Sequence, residues 1–386
     1  MNFSPTTPAA MLAAWFMRHT SPNGVRRVAQ LNGAVATDVG SVREDNQDRV
    51  ALVRGRDRSG GCFIVAALAD GIGGMKQGAE CAALTLGTFI DSVVADAQLS
   101  TEPGDWLASG AHRANRAVHA KLAGEGGSTL VAALLMNGRP PHWLSIGDSR
   151  AYQAYNGKLH QLSLDDTIDG QLGKSGGGRR RDLLQFVGIG DVLEPHIEPI
   201  VSASGSMLLT SDGVHFIEAD YLAKVVYYAP DLGFCVRRLT ELAKMLGGPD
   251  NATVAALSLD ALAVNAETHL HGVYEVWDPF GELQIMFDCG PRQYVATSPQ
   301  QASAADTPKH VYAAPLPPVV SPGNETKPAN SRQEEPTDEG SATKNMAHQK
   351  KPRSSRKKPK QSPADPGEHR DADEPQLFIE FPNKKP

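Results

Sequence analysis

The apolar positions of the chain fall into short runs whose period changes along the sequence. Cys62–Leu68 is a continuous apolar run ending in Asp70-Gly71, the pattern of a buried strand entering a turn. Ala79, Ala82, Ala83, Leu86, Phe89, Ile90, Val93 and Val94 then recur at helical spacing and predict a helix. Trp106 to Leu122 repeats that period, with Asp105 expected as its N-cap. Gly127–Met136, His142–Ile146 and Ala151–Tyr155 read as strands separated by Gly, Pro and Asp turns. Ser206–Thr210 is another strand, closed by Asp212-Gly213. Leu232, Cys235, Val236, Leu239, Leu242 and Leu246 form a helical stripe that Gly247-Gly248 ends. Asn251–Leu259 is a further strand, and Val273–Trp277 with Leu283–Phe287 around Asp278-Pro279-Phe280-Gly281 predicts a hairpin. Gly170–Gly178, with five glycines, is expected as a mobile loop.

Strands come first, then two helices, several strands, more helices and a final strand. That order lacks the regular alternation of a doubly wound parallel sheet and predicts an α+β layered fold.

Composition changes this picture at the C-terminal end. Residues 297–386 hold 15 of the 27 prolines, and their only aromatics are Tyr312, Phe378 and Phe381. Such a stretch cannot bury enough apolar surface to offset its ordering entropy and is expected as a disordered tail. The expected organisation is an N-terminal extension (1–30), a main folded domain (31–260), an appended hairpin (261–296) and the tail. Within the tail, Lys350–Lys360 has seven basic residues in eleven, and Leu377–Phe381 is an isolated apolar pentapeptide suited to a sheet edge or groove of a protein partner.

Charge follows the same division. The tail carries 14 basic and 12 acidic residues, while residues 1–296 carry 24 and 32. An acidic body argues against nucleic acid as the main ligand and is compatible with carboxylates that a metal neutralises. Cys62, Cys81, Cys235 and Cys289 form no CxxC pair, which fits a reducing compartment. Ala9–Met17 is too short to span a bilayer and lacks a basic leader, so no transmembrane segment and a cytoplasmic location are expected.

The chemistry sits where apolar strands end. Asp70, Asp148 and Asp212 each follow such a run, Asp250 precedes Asn251-Ala252-Thr253, and Glu44-Asp45-Asn46-Gln47-Asp48 follows Arg43. One Asp-Gly alone is a turn. Several aspartates brought together from strand ends would repel one another unless hard divalent cations, Mg²⁺ or Mn²⁺, sat between them.

Gly40–Asp48 resembles the first motif of the metal-dependent Ser/Thr protein phosphatases of the protein phosphatase 2C type, and Asp70-Gly71-Ile72-Gly73-Gly74 the second. Gly127–Leu130, Gly147–Arg150, Leu208–Gly213 and Asp250–Thr253 follow in family order. The resemblance implies a four-layer α/β-sandwich/α fold, with two central antiparallel sheets and helices packed on both outer faces. It implies hydrolysis of phosphoserine and phosphothreonine on proteins, by a water activated in a binuclear Mn²⁺ or Mg²⁺ site. Asp70 corresponds to the carboxylate bridging two ions, and the carbonyl of Gly71 to a ligand of one. Asp212 and Asp250 correspond to ligands of the other, and Asp48 to a residue holding metal-bound water. Asp148, with Asp212, corresponds to a third-ion position. Arg43 corresponds to the arginine that grips the substrate phosphate, a role its planar fork suits; otherwise it would form a surface pair with Glu44 or Asp45.

Two departures from the family pattern stand out. Ile72 occupies a place where some relatives carry a histidine, so a water is expected to protonate the leaving oxygen. Asp165-Asp166-Thr167 stands where Asp-His-Ser is common, which puts a local hydrogen bond in doubt. The flap that follows is short, and Arg179–Arg181 beside it read as a solvated charge run. His269 and His271 read as a surface pair. The implied partners are phosphorylated proteins, opposite a Ser/Thr kinase in signalling, and the chain is expected to act as a monomer. Two other readings use the same features. One is a catalytically weak phosphatase-fold scaffold or phosphoprotein-binding regulator, which loss of Asp70, Asp212 or Asp250 would favour. The other is a regulator tethered to nucleic acid by the basic tail.

Overall fold

A computed structural model describes residues 7–72, 75, 77–100, 102–171, 183–200, 202–260 and 272–286 of the chain. The tail from Thr297 with its basic and apolar motifs, Gly173–Gly178, Arg179–Arg181, His269, His271, Phe287 and Cys289 lie outside the described residues. The first apolar run forms helix α1 (Pro8–Phe16), with proline in its first turn and the Thr7 hydroxyl accepting the Ala10 amide at 3.2 Å. Strands β1 (Asn23–Val28), β2 (Gly33–Asp38), β3 (Arg49–Arg56) and β4 (Cys62–Ala69) follow, then helices α2 (Gly78–Ala97) and α3 (Pro103–Leu122). Next come β5 (Leu130–Met136), β6 (His142–Ile146), β7 (Arg150–Tyr155), β8 (Lys158–Gln161), the short α4 (Ile168–Gln171), β9 (His196–Pro199) and β10 (Ser206–Thr210). Helices α5 (Asp212–His215), α6 (Ala219–Tyr228) and α7 (Leu232–Met245) precede β11 (Ala252–Ser258), β12 (Val273–Trp277) and β13 (Glu282–Met286).

The strands form two sheets, ordered β1-β2-β11-β10-β7-β8 and β13-β12-β3-β4-β5-β6-β9. All of these pairings are antiparallel. Side-chain alternation stacks the layers. Ile64, Ala66 and Leu68 of β4 point into the sandwich, into one core with Val35, Leu209 and Ala255 of the other sheet. Phe63, Val65, Ala67 and Ala69 point the other way, onto Leu86 and Phe89 of α2 and Trp106 of α3. Because both faces are covered, the central strands read as unbroken apolar runs. Phe89 is fully buried there, and truncating it to alanine would cost about 3–5 kcal/mol. On the outer face of the first sheet, α7 packs against β2 and β11. The result is the expected layering, two antiparallel sheets between helices.

Helix α2 is apolar and long enough in composition to cross a bilayer, but 67% of that window is buried inside the protein. Its apolarity is that of a core helix: α1 packs closely along it at Gly87, where a Cβ would stand 2.8 Å from the Ala9 carbonyl oxygen.

Several boundaries differ from the sequence expectations. Residues 7–30 are not a separate extension, since α1 contributes Leu12 and Phe16 to the core and β1 pairs with β2 from Asn23↔Asp38 to Val28↔Gly33. The hairpin of β12 and β13 is not appended either: Glu275↔Arg54 to Trp277↔Leu52 join it to β3. Helix α3 starts at Pro103 with Glu102 as N-cap, which places Asp105 inside the first turn; the fixed φ of proline suits that first position. Strand β5 starts at Leu130 because Ser128 is drawn aside to bridge Gly71 and Val187. Strand β3 was hidden by its arginines, yet Arg54 is buried against Glu275 at 2.6 Å.

Candidate active site

Antiparallel register gathers the acidic strand ends. Arg49, first in β3, pairs with Ala69, last in β4, so Asp48 and Asp70 stand side by side. Leu130 opens β5 opposite Ile146, which closes β6, and brings the turn at Gly147-Asp148 to the same end. In the other sheet Thr210, last in β10, pairs with Arg150 of β7 and Val254 of β11. Asp212 and Asp250 therefore flank this same end of the sandwich.

Arg43, Asp70, Gly71, Asp148, Asp212 and Asp250 line one cleft of about 440 Å³, together with Gln47, Thr129 and an apolar group. Asp48 lies deeper, 3% exposed. It borders a larger neighbouring cavity of about 610 Å³ between the end of α1, the hairpin tip and residues 44–50. The arginines of the larger cavity are already committed. Arg18 pairs with Asp278 at 2.8 Å, and Arg49 donates to the carbonyls of Phe16, Asn46 and Asp48 at 2.7–2.8 Å.

Hydroxyls and one amide side chain fix the backbone around the carboxylates. The Asp70 amide donates to Thr129 Oγ1 at 3.0 Å, and that oxygen lies 2.7 Å from Ser149 Oγ. Ser211 Oγ donates to Asp48 Oδ2 at 2.8 Å and accepts the Thr253 amide at 3.0 Å. Asn251 accepts the Gln47 amide at 2.8 Å and donates to the carbonyls of Val39 and Asp45 at 2.9 and 3.0 Å. The loop carrying Arg43 is thereby clamped onto the start of β11. These supporting groups carry a weak sequence signal, a Ser, Thr or Asn placed beside a strand-end aspartate. Gly71 admits no side chain, since a Cβ would stand 2.3 Å from the Gly78 carbonyl oxygen.

The charges are poorly compensated. Burial pushes the Asp48 carboxyl up to about 7, and nearby Asp212 adds to the rise. Burial, then Asp212 and Asp165, likewise push Asp148 up to about 7. Asp70 is held well above the usual carboxylate range, by burial first and then by Asp48, Asp212, Asp148 and Asp250. Like charges in a low-dielectric site disfavour ionisation unless a cation joins them. Asp48 Oδ1 is buried with no hydrogen-bond partner. Among the described residues no three Asp, Glu, His or Cys side chains close into a ligand shell by themselves. The donor set at this end is nonetheless all oxygen, with an orphaned carboxylate atom and a backbone cradle at Gly71, and so it fits hard divalent cations.

Arg43 does not pair with its sequence neighbours. Its guanidinium reaches Asp250 Oδ2 at 2.6 Å, and that hydrogen bond raises its pKa further. Asp166, which stands where a histidine is common, makes buried hydrogen bonds of its own. At 2% exposure, Asp166 Oδ2 accepts the Gly147 amide at 2.9 Å and Gln185 Nε2 at 2.8 Å. His196 Nε2 lies 2.9 Å from its other oxygen. Asp166 therefore braces the turn before Asp148, and the residue that replaces the family histidine is part of the site's support.

No protein-family model matches the sequence. The chain is similar to the serine/threonine protein phosphatase PstP of Mycobacterium tuberculosis, 31% identical over 242 residues that cover 58% of this chain and 44% of PstP. It thus spans under half the length of that relative. Among solved structures it resembles the PPM Ser-Thr phosphatase MsPP from Mycobacterium smegmatis in complex with cacodylate. That likeness has 30% identity and a TM-score of 0.50, and covers 58% of this chain and 97% of MsPP. The serine/threonine phosphatase of S. agalactiae shares the fold at 22% identity, with a TM-score of 0.50 over 58% of this chain and 98% of that one.

Proposed function

Because the chain belongs to the PPM-type Ser/Thr protein phosphatases, we propose that it hydrolyses phosphoserine and phosphothreonine esters on proteins. The observation that carries the reading is the meeting of Arg43, Asp70, Asp148, Asp212 and Asp250 in one cleft. Two Mn²⁺ or Mg²⁺ ions would be held by Asp70, the Gly71 carbonyl, Asp212 and Asp250, with Asp48 holding metal-bound water and Asp148 serving a third ion. Bound there, the ions would lower the pKa of water to near neutrality and offset charge on the phosphoryl oxygens.

The chain's own residues do the rest. Arg43 offers two parallel N–H donors to two phosphate oxygens. Thr129 and Ser149 hold the Asp70 backbone, so the carboxylate needs no reorganisation during the reaction. Asn251 keeps the Arg43 loop over the cleft. No His, Lys, Tyr or Cys lines the cleft among the described residues, and a water, rather than one of those side chains, would protonate the leaving Ser or Thr oxygen. The protein would work in the cytoplasm, opposite a Ser/Thr kinase, and the buried thiols Cys62, Cys81 and Cys235 are compatible with that setting.

The test is phosphate release from a phosphothreonine peptide with saturating Mn²⁺. Asp70→Asn should lower the rate by at least ~100-fold, the scale of losing a main electrostatic contribution. Near-normal turnover in that variant would sink the assignment. Absence of turnover in the unaltered protein, with retained phosphopeptide binding, would favour the scaffold reading.

A further inference from the structure

Besides the carboxylates, the cleft has an apolar part of its lining that the chemistry above does not use. Ile72, Met75, Leu183 and Phe186 line the same 440 Å³ space as Arg43 and Asp70, and each is only partly buried. This wall is held firmly. The Phe186 ring lies on Gly127, where a Cβ would stand 2.4 Å from the ring and 3.1 Å from Ile72 Cδ1. Val187, next to Phe186, exchanges two backbone hydrogen bonds with Ser128, at 2.8 and 3.1 Å. The Ile72 amide donates to Gly127 at 3.1 Å, and the Leu184 amide donates to Asp166 at 2.7 Å.

Size and charge say what the wall meets. At about 30 Å³ per water-sized body, a phosphoryl group and two cations fill on the order of 200 Å³, under half of the cleft. A phosphate seated at Arg43 brings the residues beside the phosphoamino acid within one Cα step, about 3.8 Å along the chain. An acidic neighbour would face the aspartates. A basic or amide neighbour on the wall would lose water and find no polar side chain there among the described lining residues. We propose that Ile72, Met75, Leu183 and Phe186 form a subsite selecting phosphoproteins with an aliphatic or aromatic residue next to the phosphoserine or phosphothreonine. The inference rests on the phosphatase reading and names its substrate class.

The experiment uses the full chain with Mn²⁺ and four phosphothreonine peptides that differ only in both flanking residues: Leu, Gln, Glu or Lys. The Leu peptide should exceed the Gln peptide by about tenfold in kcat/KM, the scale of one partly buried apolar side chain, with Glu slowest. Phe186→Ser should bring the Leu-to-Gln ratio toward one. The peptide series on the unaltered chain decides the matter even if that variant does not fold. Equal rates for Leu and Gln, or a preference for Lys, would overturn the subsite and leave the phosphatase reading standing. No turnover of any peptide would overturn both.

Discussion

The Arg43 guanidinium stands 2.6 Å from the Asp250 carboxylate and joins the first acidic motif to the last across 207 residues. Both side chains are partly open to solvent, 42% and 28% exposed, so as an ion pair it is worth at most about 1 kcal/mol. Its consequence is placement. Asn251 pins the carbonyls of Val39 and Asp45, and the loop so held carries Arg43 over the cleft, away from Glu44 and Asp45.

If Arg43 grips phosphate, Arg43→Ala should raise KM for a phosphothreonine peptide by about tenfold or more and also lower kcat, since a bidentate charge-assisted contact is lost. Arg43→Lys should recover little of this, because an ammonium offers no planar fork. Steady-state kinetics with thermal melts as a folding control check it; unchanged kinetics in both variants would count against the role.

Removing cations should abolish activity. EDTA followed by dialysis leaves the oxygen donors without partners, and Mn²⁺ or Mg²⁺ should restore the rate where Zn²⁺ does so poorly, because no thiol or imidazole lines the cleft among the described residues. Calorimetric titration of Mn²⁺ into the stripped protein should show binding that Asp70→Asn weakens. Full activity in stripped, metal-free protein contradicts the reading.

The buried thiols should be inert in the native state. Burial pushes Cys81 up to about 11 and Cys235 up to about 12, and also raises Cys62. A raised thiol pKa keeps the unreactive protonated form up to higher pH, so at pH 8 very little of Cys81 is thiolate. Iodoacetamide at pH 8, read by mass spectrometry, should label none of the three until the protein is unfolded in guanidinium. Rapid native labelling of any one would contradict their packing.

A chain ending at Ala296 keeps every described strand of both sheets and should fold, melt cooperatively and hydrolyse p-nitrophenyl phosphate at the rate of the full chain. If the Lys350–Lys360 cluster and Leu377–Phe381 recruit a partner, its rate on the natural phosphoprotein should fall while the small-substrate rate holds. Loss of folding by circular dichroism, or a folded but inactive product, would refute the division.

The sequence by itself determined the elements whose two faces are both apolar. Cys62–Leu68, Ser206–Thr210 and the helix after Gly78 were legible because a doubly covered strand and an amphipathic helix leave different periods. It also placed the six motifs in order, and with them the oxygen-rich character of the site. Strands β1 and β3 were not legible. Their exposed or ion-paired arginines break the apolar period, and only the pairing of Arg54 with Glu275, 221 residues away, hides that charge. Nor could spacing foretell what Asp166 would bond to, since its partners Gly147, Gln185 and His196 come from three separate segments. Tertiary structure alone decided the convergence. Antiparallel register sets β3 and β5 to begin where β4 and β6 end, and β7 and β11 to begin where β10 ends. Aspartates far apart in the chain thereby reach one end of the sandwich, because strand pairing fixes which ends meet and a linear sequence does not.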